Sequence, residues 1–193
     1  ELGVAPHHGF ATVHPDFARP PLADGRVRFV GEPIAVVLAE TFEQGEDAAE
    51  TVWVDIEPLT TYVDAEAALA ADAEQIFPGH GSNQALVIVD KPRTDLSTAD
   101  TIVRGRYVNQ RMAVVPMEPD CCAAEVDADG RLTFWASTQM PHGLHGQLAE
   151  ALGMEPAQIR VVTPQVGGGF GGKAGIHAEY TVVAAAARRT GRP

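Results

Sequence analysis

The sequence has few cysteines and no long hydrophobic run, and both absences restrict what the protein can be. Its 193 residues include only two cysteines, Cys121 and Cys122, which are adjacent and cannot form an ordinary structural disulfide with each other. Such cysteine usage indicates a reducing compartment. No apolar run approaches the roughly 20 residues that a helix needs to cross a bilayer, and the N-terminus lacks the basic and apolar segments of an export signal. We therefore expect a cytoplasmic protein without a membrane span.

Positive charge is also scarce. The chain has 14 Lys and Arg residues against 26 Asp and Glu residues, which gives a formal net charge of -12 at pH 7. An acidic surface does not attract nucleic acid or an anionic membrane, so neither is expected as a partner. Hydrophobic residues make up 45% of the chain and charged residues 21%, as in globular proteins. Because the chain begins without Met and ends two residues after Gly191, we expect it to be a segment of a longer protein.

Histidines cluster in two places, and neither place has a complete set of metal ligands in the sequence. His7, His8 and His14 lie in a proline-rich arm, where no cysteine or carboxylate has the expected ligand spacing beside them. His142 and His145 are three residues apart on a predicted helix, but the sequence supplies no third ligand nearby. We therefore predict no metal site among these histidines.

The segment up to about residue 75 has the pattern of a compact α/β unit. Apolar runs predict strands at 27–30, 34–39 and 52–57. The second run is continuously apolar, so this strand is expected to be buried on both faces. Thr41 is a good N-cap and predicts a helix from 42 to 51. Asp64 does the same for a short helix to about Ala71.

A connector at 76–100 leads to a second unit. Residues 101–108 start this unit. Two runs of strand-forming residues, at 121–126 and 131–136, flank a turn at 127–130 whose sequence is Asp-Ala-Asp-Gly. This combination strongly predicts a β-hairpin.

Two helices and one more strand complete the second unit. Pro141 is suited to the first turn of a helix, which is predicted to run to Leu152 and to end at Gly153. An apolar run at 159–163 predicts a short strand, and the alanine-rich segment 174–189 predicts a helix.

A glycine-rich loop, Val166–Lys173, separates that last strand from the last helix. Its five glycines lose much entropy on ordering, which is tolerable where a backbone must approach a ligand closely. At a helix N-terminus the ligand is usually an anion, because free N–H groups and the positive end of the helix dipole converge there. A plain glycine-rich turn is the simpler alternative. The loop also matches a phosphate-binding P-loop, except that Ala174 replaces the Ser or Thr whose hydroxyl holds Mg²⁺.

Several of these segments together resemble one known family. Residues 25–37, 48–50 and 54–59 resemble the α/β hammerhead domain of the xanthine dehydrogenase and aldehyde oxidase family. Pro116–Pro119, Trp135–His142 and Gly167–Lys173 resemble the start of the molybdopterin-binding domain that follows it. Their order and spacing agree over nearly the whole chain, and the large subunit of the carbon monoxide dehydrogenase type is the most similar variety.

The resemblance implies an α+β fold in three parts. An α/β hammerhead domain occupies residues 1–75, a connector follows at 76–100, and the first part of a mixed α/β molybdopterin-binding domain occupies 101–193. The acid in the first motif of the second domain, Glu118, is interpreted as either a buried functional group or a turn residue.

The resemblance also implies a cofactor and a reaction. The cofactor is molybdopterin carrying molybdenum, in bacterial members usually as the cytosine dinucleotide. The reaction hydroxylates or oxidises a small substrate (an aldehyde, an azaheterocycle or CO) with water as the oxygen source. Electrons leave through iron–sulfur and FAD centres on partner subunits of the same complex. Ala174 stands where purine-oxidising members carry Glu, which argues against a purine substrate.

Two motifs carry the candidate site residues. Gln139 matches the family's Gln, whose side-chain amide donates to an oxo ligand of molybdenum, and Phe170 is expected beside the metal; both are candidate catalytic residues. Together with Gly168, Gly169 and Gly171 they form the predicted cofactor-binding set. Glycines there let backbone N–H groups come within hydrogen-bonding distance of the cofactor.

Two hypotheses of other kinds remain open at this stage. The chain lacks the Cys-containing loop of true carbon monoxide dehydrogenases and the family's catalytic Glu, so we expect it to be inactive alone. A non-catalytic interaction module or gene remnant would fit the same absence. A degenerate P-loop nucleotide-binding protein would fit the loop at Gly167 to Lys173.

Overall fold

The computed structural model describes residues 2–9, 13–88 and 95–193. Its helices are α1 (Phe42–Glu50), α2 (Ala65–Ala68), α3 (Pro141–Leu152) and α4 (Ala178–Thr190), and its strands are β1 (Cys122–Val126), β2 (Leu132–Ala136) and β3 (Ile159–Val162). Short 3₁₀ helices occupy Pro15–Phe17 and Pro156–Gln158. The predicted α+β fold is confirmed. None of the described helices is long and apolar enough to cross a membrane.

The β1–β2 hairpin forms as its sequence predicts. The two strands pair antiparallel over their whole length. Asp127 organises the turn, because its Oδ1 accepts hydrogen bonds from the N–H groups of Asp129 at 3.0 Å and Arg131 at 2.9 Å. Gly130 supplies the left-handed conformation that closes the turn, with φ of +80°.

β3 extends this sheet on the other side of β2 and runs parallel to it, so the sheet is mixed, in the order β1-β2-β3. Parallel neighbours need a crossover connection, and α3 provides it. The helix begins at Pro141, where the missing proline N–H has no intrahelical partner to lose. It ends at Gly153, which has φ of +58° and donates its N–H to the carbonyl of Glu150 at 3.2 Å. Both predicted ends are confirmed.

The hydrophobic core lies between the sheet and helices α3 and α4. Alternate residues of β2 point into it, so Leu132, Phe134 and Ala136 are buried while the two residues between them are partly exposed. Leu2 and Val4 of the N-terminal arm pack against its edge. The buried members are Ala124, Leu132, Phe134, Ala136, Leu144, Leu148, Ala149, Ala151, Leu152, Ile159, Ile176, Tyr180, Ala184, Ala185 and Ala187.

Tyr180 joins α4 to the core and to the segment before β1. Its buried ring packs edge-on against Phe134, with centroids 5.5 Å apart, and its hydroxyl donates to Asp120 Oδ1 at 2.8 Å. Burial, together with the neighbouring Asp120 carboxylate, raises the pKa of the Tyr180 phenol far above its usual range, so the hydroxyl stays a donor at any physiological pH.

Tyr180→Phe tests this hydrogen bond, because it removes the hydroxyl and keeps the ring. We expect a loss of about 1 kcal/mol in the free energy of unfolding, since the half-exposed Asp120 carboxylate regains water. In a chain of this size the melting temperature should fall by about 2–4 °C. Tyr107→Phe is the matched control, because Tyr107 is exposed. Equal melting temperatures for the two variants would show that the Tyr180 hydroxyl adds nothing.

The predicted strands of the first unit, at 27–30, 34–39 and 52–57, are wrong. These segments carry no ladder of backbone hydrogen bonds, and their apolar side chains are largely exposed, Trp53 by 84%. The run at 34–39, expected to be buried on both faces, is exposed along most of its length. An apolar or alternating pattern favours an extended backbone, but a strand also needs a partner at hydrogen-bonding distance, which the described residues do not supply.

The helices of this unit are confirmed, with one shorter than predicted. Thr41 caps α1 through its side-chain oxygen, which accepts the N–H of Gln44 at 3.3 Å. Asp64 caps α2 by accepting the N–H of Ala67 at 2.8 Å, but α2 ends at Ala68 rather than Ala71. The predicted division into a hammerhead domain, a connector and a second domain stays a prediction. Residues 89–94 of the connector lie outside the described part.

Candidate cofactor-binding site

The glycine loop, residues 166–173, lies against the end of strand β2. The N–H of Gln139 donates to the carbonyl of Lys173 at 2.9 Å, and the hydroxyl of Thr138 donates to the same carbonyl at 3.2 Å. Two motifs that are about 30 residues apart in sequence are therefore bound directly to each other. The structure brings together the two segments on which the predicted site residues lie.

The side chain of Gln139 turns toward the loop. Its Oε1 accepts a hydrogen bond from the N–H of Gly171 at 2.9 Å. Because this donor faces the amide oxygen, the amide NH₂ group is directed away from it. Among residues 2–9, 13–88 and 95–193, no acceptor pairs with that NH₂ group, and Gln139 is exposed. The site therefore presents one oriented and available amide donor.

Phe170 occupies the tip of the loop in a strained conformation. Its φ is +48°, and it is the sole non-glycine residue of the described part with a positive φ. A side chain rarely adopts this conformation unless its surroundings impose it, and such residues concentrate at functional sites. Its ring is 79% exposed instead of packed into the core. The loop thus holds an apolar face toward the outside, next to the Gln139 amide.

The glycines on either side of Phe170 are required by close approach. A Cβ atom on the buried Gly169 would clash with the Cδ and Oε1 atoms of Gln139. One on Gly168 would lie 2.9 Å from the ring of Phe170, and Gly168 and Gly171 also have φ of +96° and +86°. The loop can therefore wrap around the Gln139 amide only because these positions lack side chains.

Lys173, at the end of the loop, is a buried charge that sequence reasoning missed as a site residue. It is 2% exposed, its Nζ donates to Ser137 Oγ at 2.8 Å, and it lies 3.6 Å from Glu118 Oε1. Glu118 Oε2 in turn accepts the N–H of Gly167. The carboxylate thus links the start of the loop to its end. The sequence signal was present in the acid between two prolines and in the lysine after the glycines, but only the fold pairs them.

Glu118 is held in its charged form by these neighbours. The Ser137 hydroxyl, then the Gly167 N–H and then the Lys173 ammonium stabilise the carboxylate and lower the pKa of Glu118. Glu118 lies in a bend and its side chain is 28% exposed, so it is a turn residue that also contacts the loop, and it is not buried. Its charged carboxylate fixes the base of the loop.

The loop does not open a helix, contrary to the sequence prediction. The helix expected from 174 begins at Ala178, four residues later. Gly175 has φ of +80°, which a helix does not allow, and Ile176 is buried in the core. Residues 174–177 are therefore not helical. The helix-dipole argument for anion binding at this loop is therefore wrong. The P-loop alternative loses support with it, since a P-loop also needs its lysine at the head of a helix.

The histidine pair on α3 does not form a metal site. His145 Nε2 lies 3.0 Å from the carbonyl of Pro156 and 3.1 Å from that of Ile159, so it carries the proton and donates to backbone oxygen. This contact ties α3 to the start of β3. His142 is exposed and contributes nothing to that contact.

Comparison with known proteins identifies the family of the part of the chain that contains this site. Residues 76–193 match the family described as molybdopterin cofactor-binding domain. The chain belongs to this family. The resemblance of its motifs predicted a molybdopterin cofactor-binding chain, and this prediction is confirmed.

Similar proteins are enzymes of one kind. The chain is 36% identical to the 6-hydroxypseudooxynicotine dehydrogenase complex subunit gamma of Paenarthrobacter nicotinovorans, over 92% of this chain and 22% of the relative. It is 35% identical to the aldehyde oxidoreductase of Megalodesulfovibrio gigas, over 91% of this chain and 20% of the relative. The reconstituted CO dehydrogenase of Oligotropha carboxidovorans has a similar structure, with a TM-score of 0.83 and 28% identity over 100% of this chain and 25% of that one. The chain thus spans about a fifth to a quarter of its relatives' length.

The residues of the site fit a molybdopterin cofactor. The free NH₂ group of Gln139 suits an oxygen acceptor, and Gly169, which has no side chain, leaves room for the Gln139 side chain that carries this group. The exposed ring of Phe170 provides an apolar surface next to both. A neutral amide donor and a glycine-lined loop allow a large polar group to approach the backbone closely.

Proposed function

We propose that this chain forms one wall of the cofactor site in the large subunit of a molybdenum hydroxylase. The observation that carries the proposal is the Gln139 amide, oriented by Gly171 and available as a donor, within a chain of the molybdopterin cofactor-binding family. When bound, the molybdenum cofactor supplies oxidation of a substrate carbon with oxygen from water. The chain's own residues position that cofactor.

Each loop residue has a distinct part in this positioning. Gln139 donates its NH₂ group to an oxygen of the cofactor, and as a neutral amide it carries no proton that titrates near neutral pH. The N–H of Gly171 is engaged by Gln139 Oε1, so Gly171 orients the amide instead of facing the cofactor itself. Phe170 offers the exposed face of its ring as an apolar surface for the cofactor. Gly168 and Gly169 allow the loop backbone to lie close to the Phe170 ring and the Gln139 side chain, respectively.

The wider function follows from the relatives. Their names specify dehydrogenases and oxidoreductases of nicotine derivatives, aldehydes and carbon monoxide, and the name of one describes a subunit of a complex. We infer that this chain acts on a small molecule of that range, that its cofactor is the cytosine dinucleotide, and that iron–sulfur and FAD subunits accept the electrons. Ala174 disfavours a purine substrate, because no carboxylate follows Lys173. The expected cytoplasmic location stays a prediction.

Gln139→Ala in the assembled complex tests the central contact. We expect a 10- to 100-fold loss of turnover or of molybdenum retained per protein, since one preorganised donor is removed beside the metal. The melting temperature should change little, because the Gln139 side chain is exposed. Molybdenum is measured by elemental analysis of the purified complex, together with turnover per molybdenum.

The matched control for this experiment is Gln165→Ala, which removes an exposed glutamine just ahead of the loop. It should retain both molybdenum and turnover. If Gln139→Ala also retained both, the Gln139 amide would only anchor the loop through Gly171, and the proposed cofactor contact would be wrong.

A further inference from the structure

A cluster of three potential metal ligands lies outside the glycine loop. His14 caps the 3₁₀ helix Pro15–Phe17 and Asp16 lies within it, while His80 comes from a turn 64 residues after Asp16. His14 Nδ1 lies 3.3 Å from Asp16 Oδ2, and His80 Nδ1 lies 3.2 Å from the same oxygen. Sequence patterns do not predict this grouping, because His80 is remote in the chain from His14 and Asp16.

Buried aromatic packing brings the two segments together. The ring of Phe17 is buried and contacts the ring of His80, with centroids 4.5 Å apart, and that of Phe77, at 5.0 Å. His80 is therefore held by a neighbour that belongs to the same short helix as Asp16. The cluster rests on an apolar base and opens to solvent on the side of His14, whose side chain is 54% exposed.

The distances match the ligand spacing of a tetrahedral metal ion. Metal bonds of about 2.0–2.2 Å at tetrahedral angles put neighbouring ligand atoms roughly 3.3–3.5 Å apart. The two separations from Asp16, 3.3 and 3.2 Å, are close to this spacing. The ligand atoms of the two histidines lie within 4.8 Å of each other, and the rings of His14 and His80 are neighbours, with centroids 4.7 Å apart.

Existing hydrogen bonds occupy these atoms, and a metal ion would replace them. His80 Nδ1 donates to Asp16 Oδ2 at 3.2 Å, so this proton must leave when a metal binds there. The backbone N–H of Asp16 donates to His14 Nδ1 at 3.3 Å, so in the neutral ring Nδ1 carries the lone pair and Nε2 carries the proton. Metals bind imidazole through such a lone pair. Two histidines and one carboxylate form a ligand set that zinc accepts, with a fourth position left for water. The chain's net charge of -12 also favours a cation.

We propose that His14, Asp16 and His80 bind a zinc-class divalent metal ion that fastens the N-terminal arm to the turn at 78–81. Without a metal, the same groups make only His–Asp polar contacts on a partly exposed surface, which hold segments together weakly. A bound ion replaces them with three bonds to one centre. The site is structural and separate from the cofactor loop.

Zinc titration of the purified 193-residue protein, stripped with a chelator, tests the proposal. Calorimetry should show one equivalent bound, and zinc should raise the melting temperature. Asp16→Asn keeps the size of the side chain and removes its charge, while His80→Gln keeps a polar group against Phe17; each should weaken binding at least 10-fold. His142→Ala removes an exposed histidine elsewhere and should bind zinc like the parent protein.

Cobalt(II) in place of zinc identifies the ligands. A tetrahedral site of nitrogen and oxygen ligands gives visible absorption without the near-ultraviolet band of a cobalt–thiolate bond. Such a band would put the metal on Cys121 and Cys122 and would overturn the proposal. So would equal zinc affinity in the parent protein, Asp16→Asn and His80→Gln, or the absence of a saturable equivalent in the parent protein.

Discussion

Replacing Gly169 with alanine is expected to reduce molybdenum retention by the complex about 100-fold, at least as much as loss of the Gln139 side chain does. The added Cβ would occupy the space of the Gln139 amide, so that side chain must move and release its hydrogen bond from Gly171. Gly169 does not have a positive φ, so the alanine backbone itself is unstrained and the effect comes from the clash. Gly169→Val should be worse, because a β-branched side chain also restricts the backbone.

Two further variants separate this clash from a general loss of stability. Overpacking at Gly169 should cost about 1–3 kcal/mol of unfolding free energy in the isolated chain. Combining Gly169→Ala with Gln139→Gly removes the clashing side chain, and stability should return while molybdenum retention does not. Gly146→Ala, on the open face of α3, should be neutral or stabilising. Full molybdenum loading in Gly169→Ala would show that the loop tolerates a side chain at this position. The proposed role of Gly169 in placing the Gln139 amide would then be wrong.

The second half of the fold followed from local sequence signals. The hairpin was predictable because Asp127 and Gly130 determine the turn, and α3 because Pro141 and Gly153 mark its ends. These signals act within a few residues, so a single sequence contains them. The strand predicted at 34–39 does not form, because strand pairing depends on a partner elsewhere in the chain.

The candidate site was predictable only in part, and for a similar reason. Gln139 and the glycine loop were recognised through motifs, and the structure places them in contact. The contacts of Lys173 with Ser137 and Glu118 were not recognised, because they join three segments that no local pattern relates. The length of the last helix was also overestimated, since alanine-rich sequence favours helix but Gly175 interrupts it.

Lys173→Met is expected to destabilise the protein and to loosen the loop, although methionine is similar in length to lysine. The change removes the ammonium that Ser137 Oγ and Glu118 share. Breaking a fully buried pair costs about 3–5 kcal/mol, but Glu118 is 28% exposed and regains some water, so we expect about 2–3 kcal/mol. In a chain of this size the melting temperature at neutral pH should fall by about 4–12 °C.

The effect of Lys173→Met should depend on pH in a defined direction. Glu118 has a lower pKa in the folded protein than in the unfolded chain, so its charged form stabilises the fold above the unfolded pKa of roughly 4.3. That contribution is lost as the pH falls through the folded pKa. The melting-temperature gap between the parent protein and Lys173→Met should therefore be largest near neutral pH and should narrow in acid. Arg131→Met, which removes an exposed positive charge, should shift stability by at most about 0.5 kcal/mol. A gap that stayed constant from pH 7 down to pH 3 would mean that Lys173 stabilises the loop through packing alone, without its charge pair to Glu118.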